Sequence, residues 1–267
     1  VLADGIAIYA TPAFNLAEAG IAPTFFVAWG ATLAYTFQLY FDFSGYSDMA
    51  IGIARTFGIV LPLNFHSPYK AVNIIEFWRR WHMTLSRFLR DYVYFPLGGN
   101  RKGKSRRYVN LMITMFLGGL WHGAGWTFIA WGLLHGAYLV FNHAWHALLR
   151  ITGFQQGSTG AMGRFISRFI TFMAVVVAWV FFRAESMDAA MLMLQGMAGM
   201  NGYSLPATLI DKIGSAAIYL ENAGVEFKNM EVNFDHVWLT SIVLVAIIAF
   251  IFPNTQQFTE KLQRRND

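Results

Sequence analysis

Seven histidines and no cysteine bound the chemistry open to this chain of 267 residues. Disulfides and thiolate nucleophiles are excluded, and imidazole is left as the side chain that gains and loses a proton near neutral pH. Two imidazoles stand in Trp-His pairs, Trp81-His82 and Trp121-His122. Each lies in or beside a segment apolar enough to enter a bilayer, where an ionisable group is costly and marks a candidate for function. A pair of this kind can take up and return protons in general acid–base chemistry. Read without further information, each imidazole fits a hydrogen-bonded packing role as well. His143 and His146, three residues apart, share a helix face and could ligate a metal, but no carboxylate or third histidine stands close by, so a wet helix end accounts for them. His66 reads as an interfacial loop residue.

The elements that hold these groups are written in the composition. Apolar residues make up 56% of the chain and charged residues 13%, with a mean hydropathy of +0.41. A water-soluble domain cannot cover that much apolar surface with polar groups, so the expected solvent is a bilayer and the fold class is all-α and polytopic. The net charge is +5, concentrated in Arg101, Lys102, Lys104, Arg106 and Arg107, a loop that favours the cytoplasmic side. Nucleic acid is not an expected partner. Neither a start methionine nor a cleavable signal appears at Val1, which reads as an excerpt from a longer chain.

In order, residues 1–20 form a mixed lead-in punctuated by Pro12 and Pro23, the end of an earlier helix or a loop. Residues 21–41 reach the roughly 20 residues needed to cross hydrocarbon. Asp42, Ser44, Gly45, Ser47 and Asp48 then interrupt the apolar run, which resumes over 49–61 and stops at Pro62; a capping Asp42 and an Asp48–Arg55 pair would satisfy the two acids. Residues 64–73 read as a polar turn. Over 74–93 the apolar positions recur at three and four, predicting one amphipathic helix rich in Trp and Arg at the interface. The run 108–122 climbs about 21 Å at ~1.5 Å per residue, which takes His122 from a cytoplasmic interface toward the middle of a slab roughly 30 Å thick. Gly118, Gly119, Gly123 and Gly125 leave thin backbone around it, suiting either a close helix pair or a substrate passage. Further crossings are expected over 126–149, 166–182 and 237–252. A Gly-, Ser- and Gln-rich linker spans 151–163, Ser186 is placed to cap a Met-rich helix over 187–200, and 201–235 is mixed and polar. Lys261, Arg264 and Arg265 favour a cytoplasmic tail.

Three blocks carry a resemblance: QLYFDFSGYSDMAIGIARTFGIVLPLNFHSPY at 38–69, EFWRRWHMTLSRFLRDYVYFPLGGN at 76–100, and GGLWHGAGWTFIAWGLLHG at 118–136, with WVFFRAES at 179–186 more weakly. They resemble the membrane-bound O-acyltransferases, in particular the bacterial branch that O-acetylates alginate and similar exopolysaccharides, with teichoic acid D-alanyl transferase more distant. The resemblance implies a helical bundle with broken and amphipathic helices around a central tunnel, and makes residues 1–267 the C-terminal part of a single transmembrane domain whose N-terminal helices are missing. It implies catalysis by His122, as general base or transient nucleophile, with His82 orienting or protonating. It places Tyr46, Asp48, Trp78, Trp81, Trp121, Asn100 and His135 along the tunnel or substrate path, with no metal and no bound cofactor. The expected donor is acetyl-CoA or another acyl thioester on the cytoplasmic side. The expected partners are a periplasmic acetyltransferase or relay protein, the polysaccharide machinery and membrane lipid, in a multi-pass protein of the bacterial inner membrane. Two other classes share these features: a transporter of an acyl or glycan intermediate, with broken helices of its own, and a metal-dependent membrane enzyme built on the histidines.

Overall fold

In the computed structural model, residues 2–153, 160–228 and 236–266 are described. Their regular secondary structure is helical apart from one small sheet. Helix α1 covers Leu2–Glu18, α2 Phe25–Thr56, α3 Ile74–Trp78, α4 Met83–Leu89, α5 Lys104–His122, α6 Trp126–Ile151, α7 Ala161–Arg183 and α8 Met187–Met197. Strand β1 (Tyr203–Pro206) precedes α9 (Ile210–Ile213) and α10 (Ala216–Asn222), and β2 (Val225–Lys228) precedes α11 (His236–Phe250) and α12 (Thr255–Asn266). The chain divides into two units, residues 1–43 with 179–248 and residues 44–178 with 249–267.

In the first unit, α1 lays Ile6, Tyr9, Ala10, Ala13, Phe14 and Ala17 into the core and packs on α8. The lead-in expected over 1–20 is therefore a 17-residue helix that continues through Pro12, small residues on one face letting it approach its neighbour. Glu18 ties the two helices: its Oε1 accepts from the Glu185 amide at 2.6 Å and its Oε2 from Ser186 Oγ at 2.7 Å. Ser186 caps α8 as its position in the sequence indicates, its Oγ accepting from the Ala189 amide. The Arg183 guanidinium lies 5.4 Å from the Phe14 ring and 6.0 Å from that of Tyr35. Within the polar stretch expected over 201–235, β1 and β2 pair in parallel with Tyr203 opposite Val225 and Leu205 opposite Phe227, a minor addition to a fold that is otherwise all-α. Glu231 and Asp235 lie outside the described residues.

The second unit is built on the α5–α6 hairpin. A Cβ on Gly119 would collide with the Phe128 carbonyl oxygen, and one on Gly132 with that of Met115. Only glycine lets these backbones meet, so the thin-backbone region read from the sequence is a close helix pair.

Two expectations need correction here. Asp42 to Asp48 do not interrupt α2, which runs unbroken for 32 residues; none of these residues removes a backbone donor as proline does, and Asp42 and Tyr46 are exposed. The single amphipathic helix expected over 74–93 is instead α3, a break, α4 and a π-helical turn over Arg90–Tyr94.

Among the described residues, α7 is the one helix that by itself is long and apolar enough to cross a membrane; α11 and α12 pass together as a pair bent by 52°. Helices α2 and α6 have the length, at 32 and 26 residues, but fall short in mean hydropathy. Residues 154–159 of the expected linker and the side chains of Arg264 and Arg265 lie outside the described part.

Candidate active site

The site begins with the break between α3 and α4. Asn73 caps α3, its Oδ1 accepting from the Glu76 amide at 2.8 Å, while Glu76 Oε2 accepts from the Val72 amide at 2.8 Å. Glu76 thus reaches back to the amide of the residue before the cap, one position earlier than in a capping box, and it also pairs with Arg80 at 2.5 Å. The helix then stops because a loop competes for its backbone. The His66 amide donates to the Arg80 carbonyl and the Met83 amide to the Asn64 carbonyl, both at 2.9 Å. Held by this clasp, His82 takes a left-handed backbone, φ 41° and ψ 55°, which costs a residue with a Cβ about 1–2 kcal/mol. Strain at a polar position is a mark of a functional site.

Asn64 also holds the His82 side chain. Its Oδ1 lies 3.0 Å from His82 Nδ1, 2.8 Å from Thr84 Oγ1 and 3.3 Å from the Thr84 amide nitrogen, and its Nδ2 donates to Ser47 Oγ at 3.1 Å. The imidazole stacks on Phe65 at 6.4 Å and meets Trp121 edge to face at 6.5 Å.

His122 arrives from the other direction, at the C-terminal end of α5, where Gly123 closes the helix. It is half-buried. Its ring lies 4.9 Å from Trp121, 5.2 Å from Trp131 and 6.4 Å from Phe128. Trp121, 62% exposed, thus touches both imidazoles, and the two Trp-His pairs converge.

Behind them lies an aromatic wall. Buried Trp81 stacks on Phe77 at 5.7 Å and on Tyr69 at 6.0 Å, with Phe65 edge-on at 5.0 Å. His135 is completely buried among Trp131 at 4.9 Å, Trp78 at 5.0 Å, Tyr138 at 5.7 Å and Phe77 at 6.2 Å. Trp131 therefore bridges His122 to His135. The Trp78 indole nitrogen is buried and takes no hydrogen bond among the described residues.

The other residues singled out from the sequence sit apart from this cluster. Asp48 accepts from Gln256 of α12 at 2.5 Å, so its partner is an amide and not Arg55. Tyr46 is 66% exposed, and it is Ser47 between them that reaches Asn64. Asn100 is exposed just past the glycine turn at Gly98 and Gly99. In the exposed π-helical turn after α4, Asp91 is held below the usual carboxylate range by its hydrogen bond from Arg90. His143 meets Arg107, a cation where a metal site would need a ligand. Among the described residues no group of three or more His, Cys, Asp or Glu side chains gathers to hold a metal. A cavity of about 410 Å³ opens among Lys70, Ile251, Pro253, Gln257, Glu260 and Lys261, and none of these residues belongs to the histidine cluster.

Asn64, Thr84, Ser47, Phe65 and Trp131 were not singled out from the sequence. Their role depends on contacts across separate elements, and no local spacing announces it. Trp131 had one signal, its place four residues before His135 on a single helix face.

Residues 8–182 match the profile described as MBOAT, membrane-bound O-acyltransferase family. The peptidoglycan O-acetyltransferase of Helicobacter pylori is 44% identical over 98% of this chain and 47% of its own length. The probable alginate O-acetylase AlgI of Azotobacter vinelandii is 47% identical over 76% of this chain and 38% of its own. The teichoic acid D-alanyltransferase of Streptococcus thermophilus is 42% identical over 43% of this chain and 30% of its own. The chain spans less than half the length of these relatives. With all three resemblance blocks inside the matched region, the chain belongs to the membrane-bound O-acyltransferase family.

Proposed function

We propose that the protein containing this chain is an O-acetyltransferase that takes an acetyl group from a cytoplasmic thioester, such as acetyl-CoA, and passes it toward a polysaccharide outside the inner membrane. The observation that carries this reading is the meeting of the two Trp-His pairs at Trp121. Two imidazoles at one place can divide the proton traffic of acyl transfer. A base takes the proton of the attacking hydroxyl, whose oxygen forms the new ester bond. The carbon–sulfur bond breaks and the thiolate leaves, collecting a proton from solvent or from the second imidazole. His122 is the base, or transiently carries the acetyl group itself, and His82 is its companion. The aromatic wall of Trp81, Phe77 and Trp131 keeps bulk water from the acyl intermediate. In this reading a tunnel through the helical bundle delivers the donor to His122, Tyr46, Asp48 and Asn100 line its approaches, and a periplasmic acetyltransferase or relay protein receives the group. Multiple crossings of the bacterial inner membrane are part of the same proposal.

The test is the acetyl-ester content of the secreted polysaccharide in cells expressing the full-length protein or its His122→Ala variant. Esters lost from the variant while protein stays in the membrane support the assignment; undiminished esters remove it. A peptidoglycan acceptor is the second reading, favoured because the Helicobacter relative aligns over 98% of the chain and the Azotobacter relative over 76%. Acetyl esters in purified peptidoglycan, measured in the same strains, separate the two.

A further inference from the structure

We propose that Asn64 is a positioning residue that fixes the tautomer of His82, keeping hydrogen on Nδ1 and the lone pair on Nε2, so that His82 enters acyl transfer as a proton acceptor. The role in acyl transfer rests on the function proposed above; the tautomer does not.

The Thr84 backbone amide can only donate, and it points at one end of the Asn64 side chain at 3.3 Å. That end is therefore the amide oxygen. The opposite end, the NH2, donates to Ser47 Oγ at 3.1 Å, a hydroxyl able to accept it. The same oxygen lies 3.0 Å from His82 Nδ1. An amide oxygen only accepts, so Nδ1 carries the hydrogen. Thr84 Oγ1 adds a third donor to the oxygen at 2.8 Å, which commits the hydroxyl hydrogen there and leaves a hydroxyl lone pair facing His82 Nδ1 at 3.3 Å. Both neighbours of Nδ1 are thus acceptors.

A neutral imidazole with hydrogen on Nδ1 has its lone pair on Nε2. Such a ring cannot give a proton from Nε2 until it has taken one there. This orders the events. His82 first accepts at Nε2 the proton that His122 has taken from the attacking hydroxyl and becomes imidazolium, with Asn64 Oδ1 still holding Nδ1–H; it then gives that Nε2 proton to the departing thiolate, which leaves both imidazoles neutral. The left-handed backbone of His82 serves the same end, since the Met83 amide that fixes it donates to the carbonyl of Asn64 itself. One residue sets both the turn and the ring.

The test uses full-length protein in membranes or nanodiscs with ¹⁵N-labelled histidine, the His82 signal being identified by its loss in His82→Gln. The expected result in wild type is hydrogen on Nδ1 and a bare Nε2. Hydrogen on Nε2 in wild type overturns the proposal, whatever any variant does. Asn64→Leu, similar in size and without an acceptor, is expected to lose this preference and to lower kcat by roughly 10-fold, as loss of one modest hydrogen bond implies, with KM for the acyl donor unchanged. Asn64→Asp restores an acceptor and is expected to restore both the tautomer and most of the rate. Equal loss of rate in both variants, or an unchanged tautomer in Asn64→Leu, assigns Asn64 a packing role and overturns the proposal. An Nδ1–H tautomer in a wild-type protein with no acetyl transfer would instead sink the function and leave the positioning intact.

Discussion

Gly119→Ala is the substitution whose effect can be worked out most fully. A methyl group there meets the Phe128 carbonyl oxygen and the Gly132 Cα, the latter at 3.2 Å. These are main-chain atoms of α6, so no side chain can swing aside and the helices must part. Two terms oppose each other. Alanine in place of glycine in a helix gains about 1 kcal/mol, while overpacking of a tight seam costs about 1–3 kcal/mol, with a backbone obstacle at the upper end. The net is a loss of up to about 2 kcal/mol. Gly52→Ala in α2 isolates the second term, because a Cβ there meets nothing within 4 Å and the propensity gain is the same. The two variants of the full-length protein are compared by thermal unfolding in one detergent. The difference between them is the overpacking cost alone, about 1–3 kcal/mol, which at roughly 2–4 °C per kcal/mol places Gly119→Ala several degrees below Gly52→Ala. His122 lies three residues beyond Gly119 on the same helix, so acetyl transfer falls further than stability accounts for. Equal melting temperatures for the two variants would refute the close contact between α5 and α6.

Further outcomes follow from the same contacts. His122→Ala lowers acetyl transfer by roughly 10²–10⁴-fold, the range of general acid–base catalysis, without changing membrane content on an immunoblot; activity within a few-fold of wild type would remove the imidazole from the chemistry. Glu18→Ala leaves the Glu185 and Ser186 amides and the Ser186 hydroxyl without their carboxylate and destabilises the α1–α8 pair by about 1.5–3 kcal/mol, read as earlier proteolysis at 184–187; an unchanged cleavage pattern counts against the tie. Asn64→Leu and Asn64→Asp part company in rate and in the His82 nitrogen signals, as set out above.

What the sequence made readable was local. The end of α5 at His122 follows from the glycine that succeeds it, and the cap at Ser186 from a hydroxyl placed ahead of an apolar run. Polarity proved a poor guide to continuity in α2, since Asp42 and Asp48 lower hydropathy without removing any helical hydrogen bond; only the turn at Gly58, with φ 74°, follows its end. The break at residues 79–82 was hidden for the opposite reason. Its apolar spacing is that of an intact helix, and what stops it is a distant loop whose His66 amide and Asn64 carbonyl take up the Arg80 carbonyl and the Met83 amide. The convergence of Trp81-His82 with Trp121-His122 was implied by the family resemblance and by no local spacing, and Asn64 and Ser47, which hold one of the rings, carry no type or spacing that distinguishes them from any polar loop or helix face. Strands of four residues, one ending in Pro206, are likewise too short for alternation to register.

The left-handed turn at His82 sets durability and reactivity against each other at one position. Glycine there would release the torsional penalty and lose the ring, so selection for heat resistance alone is drawn toward an inert protein. Under the function proposed above, hardening this protein means holding that codon fixed and looking for gains elsewhere.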